Sequence, residues 1–424
     1  MSRTFALKGN IVYSKSLTEL AVMDQGWAVC EDGKCAGVFK ELPEKYNGIE
    51  TKDLGDKLVI PGLSDIHLHA PQYSFRALGM DMELLDWLNT HAFPQEAKYA
   101  DTEYAKKAYS IFANDMKYSA TTRFSAFGTL HVEGTEVLME LLEAANLKGY
   151  IGKVNMDRNG PDYLQEKDAR TSAIDTRRWI EDVKDKYKNI KPILTPRFTP
   201  SCSDELMGYL SEIQKEYKLP MQSHLSENLS EIAWVQELCP STSCYGEAYS
   251  QFDMFGGDCR TIMAHCVHCP DKEIEMMREG GVFVAHCPES NSNLSSGIAP
   301  IRKYLERGVK VGMGSDIAGG TVLSLFFAMA EAVRCSKLYW RLVDNSVKPL
   351  SMEEVFYLAT KGGGEFFGKV GSFEKDYEFD AVVLDDSMLP CPFELGTKDR
   401  LERMIYVSDN RSIVGKYVAG VQVF

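Results

Sequence analysis

The sequence predicts an α/β protein: a (β/α)8 barrel of the TIM type with a small composite β-sandwich domain formed from both termini. Three observations predict it. From about residue 58 to residue 320, apolar runs of strand length alternate with amphipathic stretches. About eight such strands, each followed by a helix, are typical of this barrel. The residues best suited to chemistry also fall at the ends of predicted strands, where barrels place their active sites.

The predicted barrel strands are apolar runs bounded by polar segments. They cover residues 57–70, 120–129, 150–157, 191–198, 219–227, 260–268, 281–288 and 309–316. Apolar residues recur at intervals of three and four in the helix-like stretches between them, at residues 102–116, 135–145, 204–217 and 271–278.

The two ends of the chain have the pattern of short strands joined by turns. The candidate strands are residues 4–13, 27–30 and 37–39 near the start, and 379–384, 401–407 and 413–424 near the end. Glu31-Asp32-Gly33 is a hairpin signal. We expect residues 1–58 and 372–424 to form one β-sandwich domain, with the barrel of residues 59–371 inserted between them; two unrelated caps are the alternative.

Composition excludes several classes of partner. The chain has 424 residues, 44% hydrophobic and 25% charged, which fits a large barrel with an accessory domain. A net charge of −14 argues against nucleic acid or an anionic membrane as a partner. The first residues have no signal-peptide core, and no apolar run is long enough to span a bilayer. Eleven scattered cysteines favour reduced thiols and a cytoplasmic location.

Two histidines follow the first predicted barrel strand, in Ile66-His67-Leu68-His69. Residues two apart on a strand point to the same side, so His67 and His69 direct two imidazoles toward one point. Imidazole is a preferred ligand of zinc and similar metals. Two histidines on a strand are also common as ordinary core or surface residues, so the metal hypothesis depends on residues further along the chain.

Other residues of metal-binding type close later predicted strands. His224 falls on the fifth strand, His265 on the sixth and Asp316 on the eighth. We expect them to meet His67 and His69 at the mouth of the barrel. Neutral imidazoles with one carboxylate suit one divalent metal, zinc or ferrous iron, which lowers the pKa of a bound water toward neutrality. Asp316 also fits a proton acceptor or a helix N-cap.

Glu227 follows His224 by three residues. A carboxylate beside a metal-activated water can take up its proton and hand it on, which predicts an acid–base role. The alternative is a glutamate in the first turn of a helix, stabilised by the helix dipole. Both interpretations can hold at once.

The remaining histidines carry weaker predictions. His286 closes the seventh predicted strand and is a candidate for contact with the substrate or with a metal-bound water. His268 fits a structural role. A rival zinc site of another deaminase type would combine His131-Val132-Glu133 with Cys266-Val267-His268-Cys269. No proline precedes Cys266 and the two parts lie far apart in sequence, which argues against that site.

The runs around these residues resemble a known family. Pro61-Gly62-Leu63 leading into His67-Leu68-His69, with the later histidines and aspartate, is similar to the amidohydrolase superfamily. The fourth strand ends in Thr195-Pro196-Arg197-Phe198, without a lysine, which resembles the single-metal deaminase branch. Similarity to the guanine deaminases of that branch covers nearly the whole chain, and its longest runs are residues 70–75, 84–88, 93–94, 152–157, 195–202, 222–228 and 286–288.

This resemblance implies hydrolytic deamination of guanine to xanthine and ammonia, by attack of a metal-activated water on C2 of the purine. The implied metal ligands are His67, His69, His224, His265 and Asp316. Glu227 and Asp316 would move the protons.

The resemblance also implies that Gln72, Arg197 and Phe198 bind the purine. Arg197 offers fixed donors for a carbonyl, Gln72 a donor and an acceptor, and Phe198 an apolar face. Phe198 fits the barrel core equally well. By analogy with related enzymes we expect a homodimer.

Two other functions compete with this one. An enzyme of the same barrel could act on cytosine, a triazine or an adenosine-type substrate, although a buried arginine favours a purine carbonyl. A non-catalytic relative could use the barrel as a binding scaffold after loss of its metal.

Overall fold

The computed structural model describes residues 4–424. Its strands in this range are β1 (Thr4–Ser14), β2 (Leu20–Glu31), β3 (Lys34–Phe39), β4 (Glu50–Pro61), β5 (Leu63–His69), β6 (Thr121–Phe127), β7 (Lys148–Gly152), β8 (Val154–Asn155), β9 (Ile190–Pro192), β10 (Thr195–Pro196), β11 (Met221–Leu225), β12 (Thr261–His265), β13 (Phe283–His286), β14 (Lys310–Met313), β15 (Ala381–Leu384), β16 (Ile413–Val418) and β17 (Val421–Gln422).

The α-helices of the same range lie mostly between the barrel strands. They are α1 (Leu84–Trp87), α2 (Phe93–Glu96), α3 (Thr102–Lys117), α4 (Val132–Ala144), α5 (Ala169–Val183), α6 (Asp204–Tyr217), α7 (Leu229–Leu238), α8 (Glu247–Ser250), α9 (Asp271–Gly280), α10 (Pro288–Asn293), α11 (Ile301–Glu306), α12 (Leu325–Leu342), α13 (Met352–Tyr357) and α14 (Thr397–Val407). No helix within residues 4–424 is both long and apolar enough to cross a membrane.

Eight parallel strands form the barrel, in the order β11-β12-β13-β14-β5-β6-β7-β9. Leu194 closes the ring between the two end strands: its N–H donates to Pro220 O and its carbonyl accepts from Gln222 N, both at 2.9 Å. The short pair β8 and β10 continues the third and fourth barrel strands. The predicted (β/α)8 barrel is confirmed.

A buried apolar cluster fills the interior of the barrel. It contains Ile66 on β5, Ile193 beside β9, Ile262 on β12 and Phe283 on β13. Because these strands are not all neighbours in the ring, their side chains can only meet inside it. The strand ends that carry the predicted site residues are therefore held on a solid core rather than around an open pore.

The two termini build one mixed sheet of seven strands, in the order β17-β16-β15-β4-β1-β2-β3. The rings of Phe5 on β1 and Tyr417 on β16 stack with centroids 5.5 Å apart. These strands are three positions apart, which in a flat sheet means roughly 14 Å. The sheet therefore curls until its halves face each other, which confirms the composite β sandwich. The domain boundaries at 58/59 and 371/372 stay a prediction.

The predicted first barrel strand, residues 57–70, is two strands that belong to different sheets. β4 pairs with β1 and β15 in the terminal sheet, whereas β5 pairs with β6 and β14 in the barrel. Gly62 lies at the crossing, where its N–H donates to Asp380 O at 3.1 Å. A Cβ there would stand 2.0 Å from Thr122 Oγ1, so only glycine lets the chain pass from one sheet to the other.

The predicted strand at residues 401–407 is wrong, because this segment forms helix α14. Its buried residues are Thr397, Leu401, Met404 and Ile405. The spacing of the last three is that of one helix face, which is not the alternating pattern of a strand.

We predict that Gly62→Ala lowers the free energy of unfolding by about 1–3 kcal/mol, because the added methyl group collides with Thr122. Guanidinium denaturation followed by circular dichroism measures this. The control is Gly208→Ala, in helix α6, where no described heavy atom lies within 4 Å of an added Cβ. That variant should be slightly stabilised, because alanine favours a helix interior. Equal stability of the two variants would contradict the role given to Gly62.

Candidate metal centre and active site

Four histidines and one aspartate converge at the carboxyl ends of the barrel strands. The Nε2 atoms of His69 and His224 lie 3.2 Å apart. Asp316 Oδ1 lies 3.1 Å from His67 Nε2 and 3.5 Å from His69 Nε2, and Asp316 Oδ2 lies 3.8 Å from His265 Nε2. All five side chains are buried. The structure therefore brings together every residue that the sequence predicts as a metal ligand.

The five residues fall into two overlapping groups that share His67. One group contains His69 and His224, the other His265 and Asp316, and within each group the candidate ligand atoms lie within 4.8 Å of one another. The His67 side chain is fully buried; its Nδ1 has no hydrogen-bond partner among the described residues, and its Nε2 faces Asp316 Oδ1 at 3.1 Å. A buried, unpartnered imidazole nitrogen is costly unless it binds something. The donor set thus fits one divalent metal ion.

Hydrogen bonds from neighbouring residues fix two of these imidazoles. His224 Nδ1 lies 2.6 Å from the carbonyl of Arg197, and His265 Nδ1 lies 2.9 Å from Asn291 Oδ1. Because both partners are oxygen acceptors, each Nδ1 carries the hydrogen and donates it. The Nε2 lone pairs of His224 and His265 are therefore left for the common centre, the usual arrangement around a protein-bound metal.

The protonation states of the histidines and of Asp316 are those that metal ligands require. Burial lowers the pKa of His67, His69 and His224, so these rings are neutral near pH 7. Burial alone would raise the pKa of Asp316, but the facing imidazoles, first that of His67, outweigh it and hold this pKa below its ordinary value. The result is a set of lone-pair donors with one negative charge, which suits zinc or ferrous iron.

The backbone of two candidate ligands lies in the left-handed region. His265 has φ +70° and Asp316 has φ +43°. Such conformations cost about 1–3 kcal/mol in residues with a side chain and persist where surrounding contacts enforce them. Here Asp316 N–H donates to His67 O at 2.9 Å, and Asp316 O accepts from Gly320 N at 2.7 Å. These bonds hold Asp316 against His67.

Glu227 lies beside the cluster, with Oε2 3.4 Å from His265 Nε2. Its Oε1 accepts a hydrogen bond from Ser296 Oγ at 3.1 Å. Burial, followed by the charge of Asp316, raises the pKa of Glu227 to about 8. The helix-dipole interpretation does not apply to it, because α7 begins at Leu229 and Glu231 provides the capping box. Glu227 therefore lines the cavity as a buried carboxyl and is not part of the cap of α7.

A cavity opens onto the cluster. Its polar wall includes Gln72, Arg197 and Glu227, next to the histidines and Asp316. Its apolar wall consists of Leu84, Trp87, Leu88, Phe198 and Leu294. This mixture of apolar and polar lining is typical of a small-molecule site. The three residues predicted to bind a purine therefore line one cavity together with the metal-ligand candidates.

Comparison with known proteins agrees with this geometry. The family model described as "Amidohydrolase family" matches residues 58–423. The chain belongs to the amidohydrolase family.

Relatives within the amidohydrolase family are similar over their full length. Guanine deaminase from Dictyostelium discoideum is 38% identical over 445 residues, covering 98% of this chain and 97% of the relative. Guanine deaminase from Mus musculus is 36% identical over 441 residues, covering 98% and 96%. The crystal structure of guanine deaminase from C. acetobutylicum, with bound guanine in the active site, is 46% identical with a TM-score of 0.97, and each chain is covered completely.

Glu96 is a site residue that sequence reasoning missed. Its carboxylate is buried and accepts from Arg197 Nη1 at 2.6 Å, from Arg197 Nη2 at 3.0 Å and from Gln72 Nε2 at 2.7 Å. It therefore holds two of the three residues predicted to bind the purine. In the sequence Glu96 is an isolated glutamate, and an isolated glutamate by itself indicates an ordinary surface residue.

Asp65 is a second residue that sequence reasoning missed. It is buried on β5, and its Oδ1 accepts from Ser315 N at 3.0 Å. Burial raises the pKa of this carboxyl to about 6. The bond ties the first barrel strand to the loop after β14, and so fixes the position of Asp316 relative to the histidines of β5.

The weaker predictions have different outcomes. His286 is buried at the end of β13, but it does not line the described cavity, and its contact with substrate or water stays a prediction. His268 Nε2 donates to the carbonyl oxygen of Ser296 at 2.7 Å, as a structural residue would. Among residues 4–424 no metal-type cluster includes His131, Cys266 or Cys269.

We predict that the purified chain contains one equivalent of a divalent metal, measured by elemental analysis. His67→Ala removes the ligand shared by both groups and should lower the metal content well below half an equivalent. His131→Ala is the matched control and should keep the full equivalent, because His131 belongs to the rival site. Loss of metal in the control, with retention in His67→Ala, would contradict the assignment.

Proposed function

We propose that this chain is a guanine deaminase, which hydrolyses guanine to xanthine and ammonia. The observation that carries this conclusion is the full-length match to the C. acetobutylicum enzyme with guanine bound, at a TM-score of 0.97 and 46% identity. The cavity adds physical support, since it joins a metal-ligand cluster to a buried arginine that suits a purine carbonyl.

We propose that His67, His69, His224, His265 and Asp316 hold the metal. The convergence of His67 Nε2 on Asp316 and the orienting bonds to His224 and His265 support this ligand set. Neutral imidazoles with one carboxylate favour zinc, with ferrous iron as the alternative. When bound, such an ion lowers the pKa of a coordinated water toward neutrality.

Gln72, Arg197 and Phe198 are proposed to orient the purine. Arg197 presents N–H donors on a rigid plane, which suits the oxygen at C6 of guanine. Gln72 Oε1 accepts from Ala318 N at 3.0 Å and its Nε2 donates to Glu96, so one N–H remains for the ring. Phe198 provides an apolar surface at the cavity wall. Together these contacts set C2 of the ring toward the cluster.

Glu227 and Asp316 are proposed to move the protons. Asp316 stays ionised among the imidazoles and can accept a proton at its carboxylate. Glu227 lies 3.4 Å from His265 Nε2, at the cavity wall, and can hold a proton near neutral pH because burial raises its pKa to about 8. It can donate this proton to a ring nitrogen during attack at C2, and then pass one to the departing amine.

Two further proposals concern the location of the protein and its oligomeric state. All 11 cysteines are free thiols, which supports a cytoplasmic location. A homodimer is proposed by analogy with related enzymes.

The activity is tested by an ultraviolet assay with guanine, adenine and cytosine at equal concentrations. We expect turnover of guanine to xanthine and at least about a hundredfold lower kcat/KM for the other two, because Arg197 has no carbonyl at the same ring position to bind in adenine. Faster turnover of adenine or cytosine would favour the other deaminases of this barrel. No turnover by the metal-loaded chain would favour a binding scaffold.

We predict that Glu227→Gln keeps its metal and loses about 10²–10⁴-fold in kcat, because the amide fills the same space but cannot exchange the proton. Steady-state kinetics with guanine and elemental analysis of the same preparation measure both quantities. Glu133→Gln, which removes an exposed carboxylate paired with Arg178, is the control and should behave as the wild type. Normal turnover by Glu227→Gln would refute the acid–base assignment.

A further inference from the structure

A buried ion pair forms part of the substrate wall. Both oxygens of Glu96 face the guanidinium of Arg197, with Nη1 at 2.6 Å and Nη2 at 3.0 Å, and both side chains are only 4% exposed. The guanidinium carbon also lies 5.0 Å from the centre of the Phe93 ring. The fork of Arg197 is thus held in one plane by a paired carboxylate and a ring contact.

The same carboxylate fixes the amide of Gln72. Glu96 Oε1 accepts from Gln72 Nε2, and Gln72 Oε1 accepts from Ala318 N two residues beyond Asp316. The acceptor side of the amide is therefore engaged with the backbone. Gln72 therefore presents an N–H to the cavity. Through its bonds to Gln72 and Arg197, Glu96 makes both of these residues hydrogen-bond donors toward the cavity.

Glu96 also neutralises the charge of Arg197. An unpaired guanidinium in a buried wall is strongly unfavourable, and an anionic ligand would relieve it. Glu96 already supplies that negative charge from within the protein. The Arg197–Glu96 pair consequently offers directional donors without a net charge, which suits the carbonyl of a neutral ring and gives an anionic ring no advantage.

We propose that Glu96 is a positioning residue that makes the site selective for a neutral oxopurine over an anionic one. It acts through Arg197 and Gln72, and it does not itself contact the substrate. This inference rests on the proposed function, because it concerns how the purine of that reaction is recognised.

The test compares two competitive inhibitors near neutral pH: hypoxanthine, a neutral oxopurine, and urate, an anionic one. In Glu96→Gln the guanidinium loses its counter-charge and its fixed plane. We expect KM for guanine and Ki for hypoxanthine to rise at least about tenfold. Ki for urate should fall. The ratio of Ki for urate to Ki for hypoxanthine should therefore decrease. The metal content should stay at the wild-type level.

Glu96→Asp separates charge from shape. It keeps the carboxylate but shortens its reach, so it should raise KM while still rejecting urate as the wild type does. This variant also decides the matter if Glu96→Gln fails to fold. Tighter urate binding by Glu96→Asp, or parallel weakening of both inhibitors in Glu96→Gln, would overturn the proposal.

The matched control is Glu354→Gln. The buried Glu354 forms a similar two-point pair with the partly buried Arg302, at 2.7 Å and 2.6 Å, but neither residue lines the cavity. We expect lower stability in this variant with unchanged KM and Ki values. Failure of the wild type to deaminate guanine would refute the proposed function itself. An active wild type whose KM and Ki values are unchanged by Glu96→Gln would refute only the role of Glu96.

Discussion

The site depends on the convergence of four imidazoles and one carboxylate in a buried space. Burial keeps the rings of His67, His69 and His224 neutral, so their nitrogen lone pairs face each other. The 3.2 Å separation of His69 Nε2 and His224 Nε2 is favourable only when a proton or a cation lies between them. One divalent ion would satisfy this buried His-rich cluster, which is the donor set that the strand ends bring together.

The barrel provides what this convergence needs. Parallel strands end at one edge, an apolar interior supports them, and short backbone bonds tie the loop of Asp316 to the first strand. The substrate wall joins the same structure, because the carbonyl of Arg197 accepts from His224 while its guanidinium is held by Glu96. The candidate metal ligand His224 and the proposed purine-binding residue Arg197 are therefore linked directly, so that displacement of Arg197 would also disturb His224.

Much of the fold and of the candidate site could be predicted from the sequence, because the spacing of apolar residues and the position of the histidines carry the information. The alternation of apolar and amphipathic runs predicts the barrel, and the histidines at strand ends predict the cluster. The resemblance of longer runs to guanine deaminases predicts that Gln72, Arg197 and Phe198 bind the purine, and the structure places all three in one cavity. Full-length relatives of the same activity confirm the predicted family and function.

Most of the errors and omissions arise where tertiary contacts decide. A glycine at 62 turns one apparent strand into two, since the collision with Thr122 is visible only in three dimensions. Segment 401–407 has the apolar spacing of a helix face, so the error there concerns the period of the pattern and not a tertiary contact. Glu96 and Asp65 act through partners far away in the chain, and no local pattern signals such a contact.

Anomalous diffraction at the metal edge would locate a single ion held by the five side chains. We predict one peak per chain, at about 2.0–2.2 Å from a ring nitrogen of each of His67, His69, His224 and His265 and from an oxygen of Asp316. A crystal of the active enzyme whose only peak lay away from these side chains, or with these rings turned apart and no peak between them, would contradict the account.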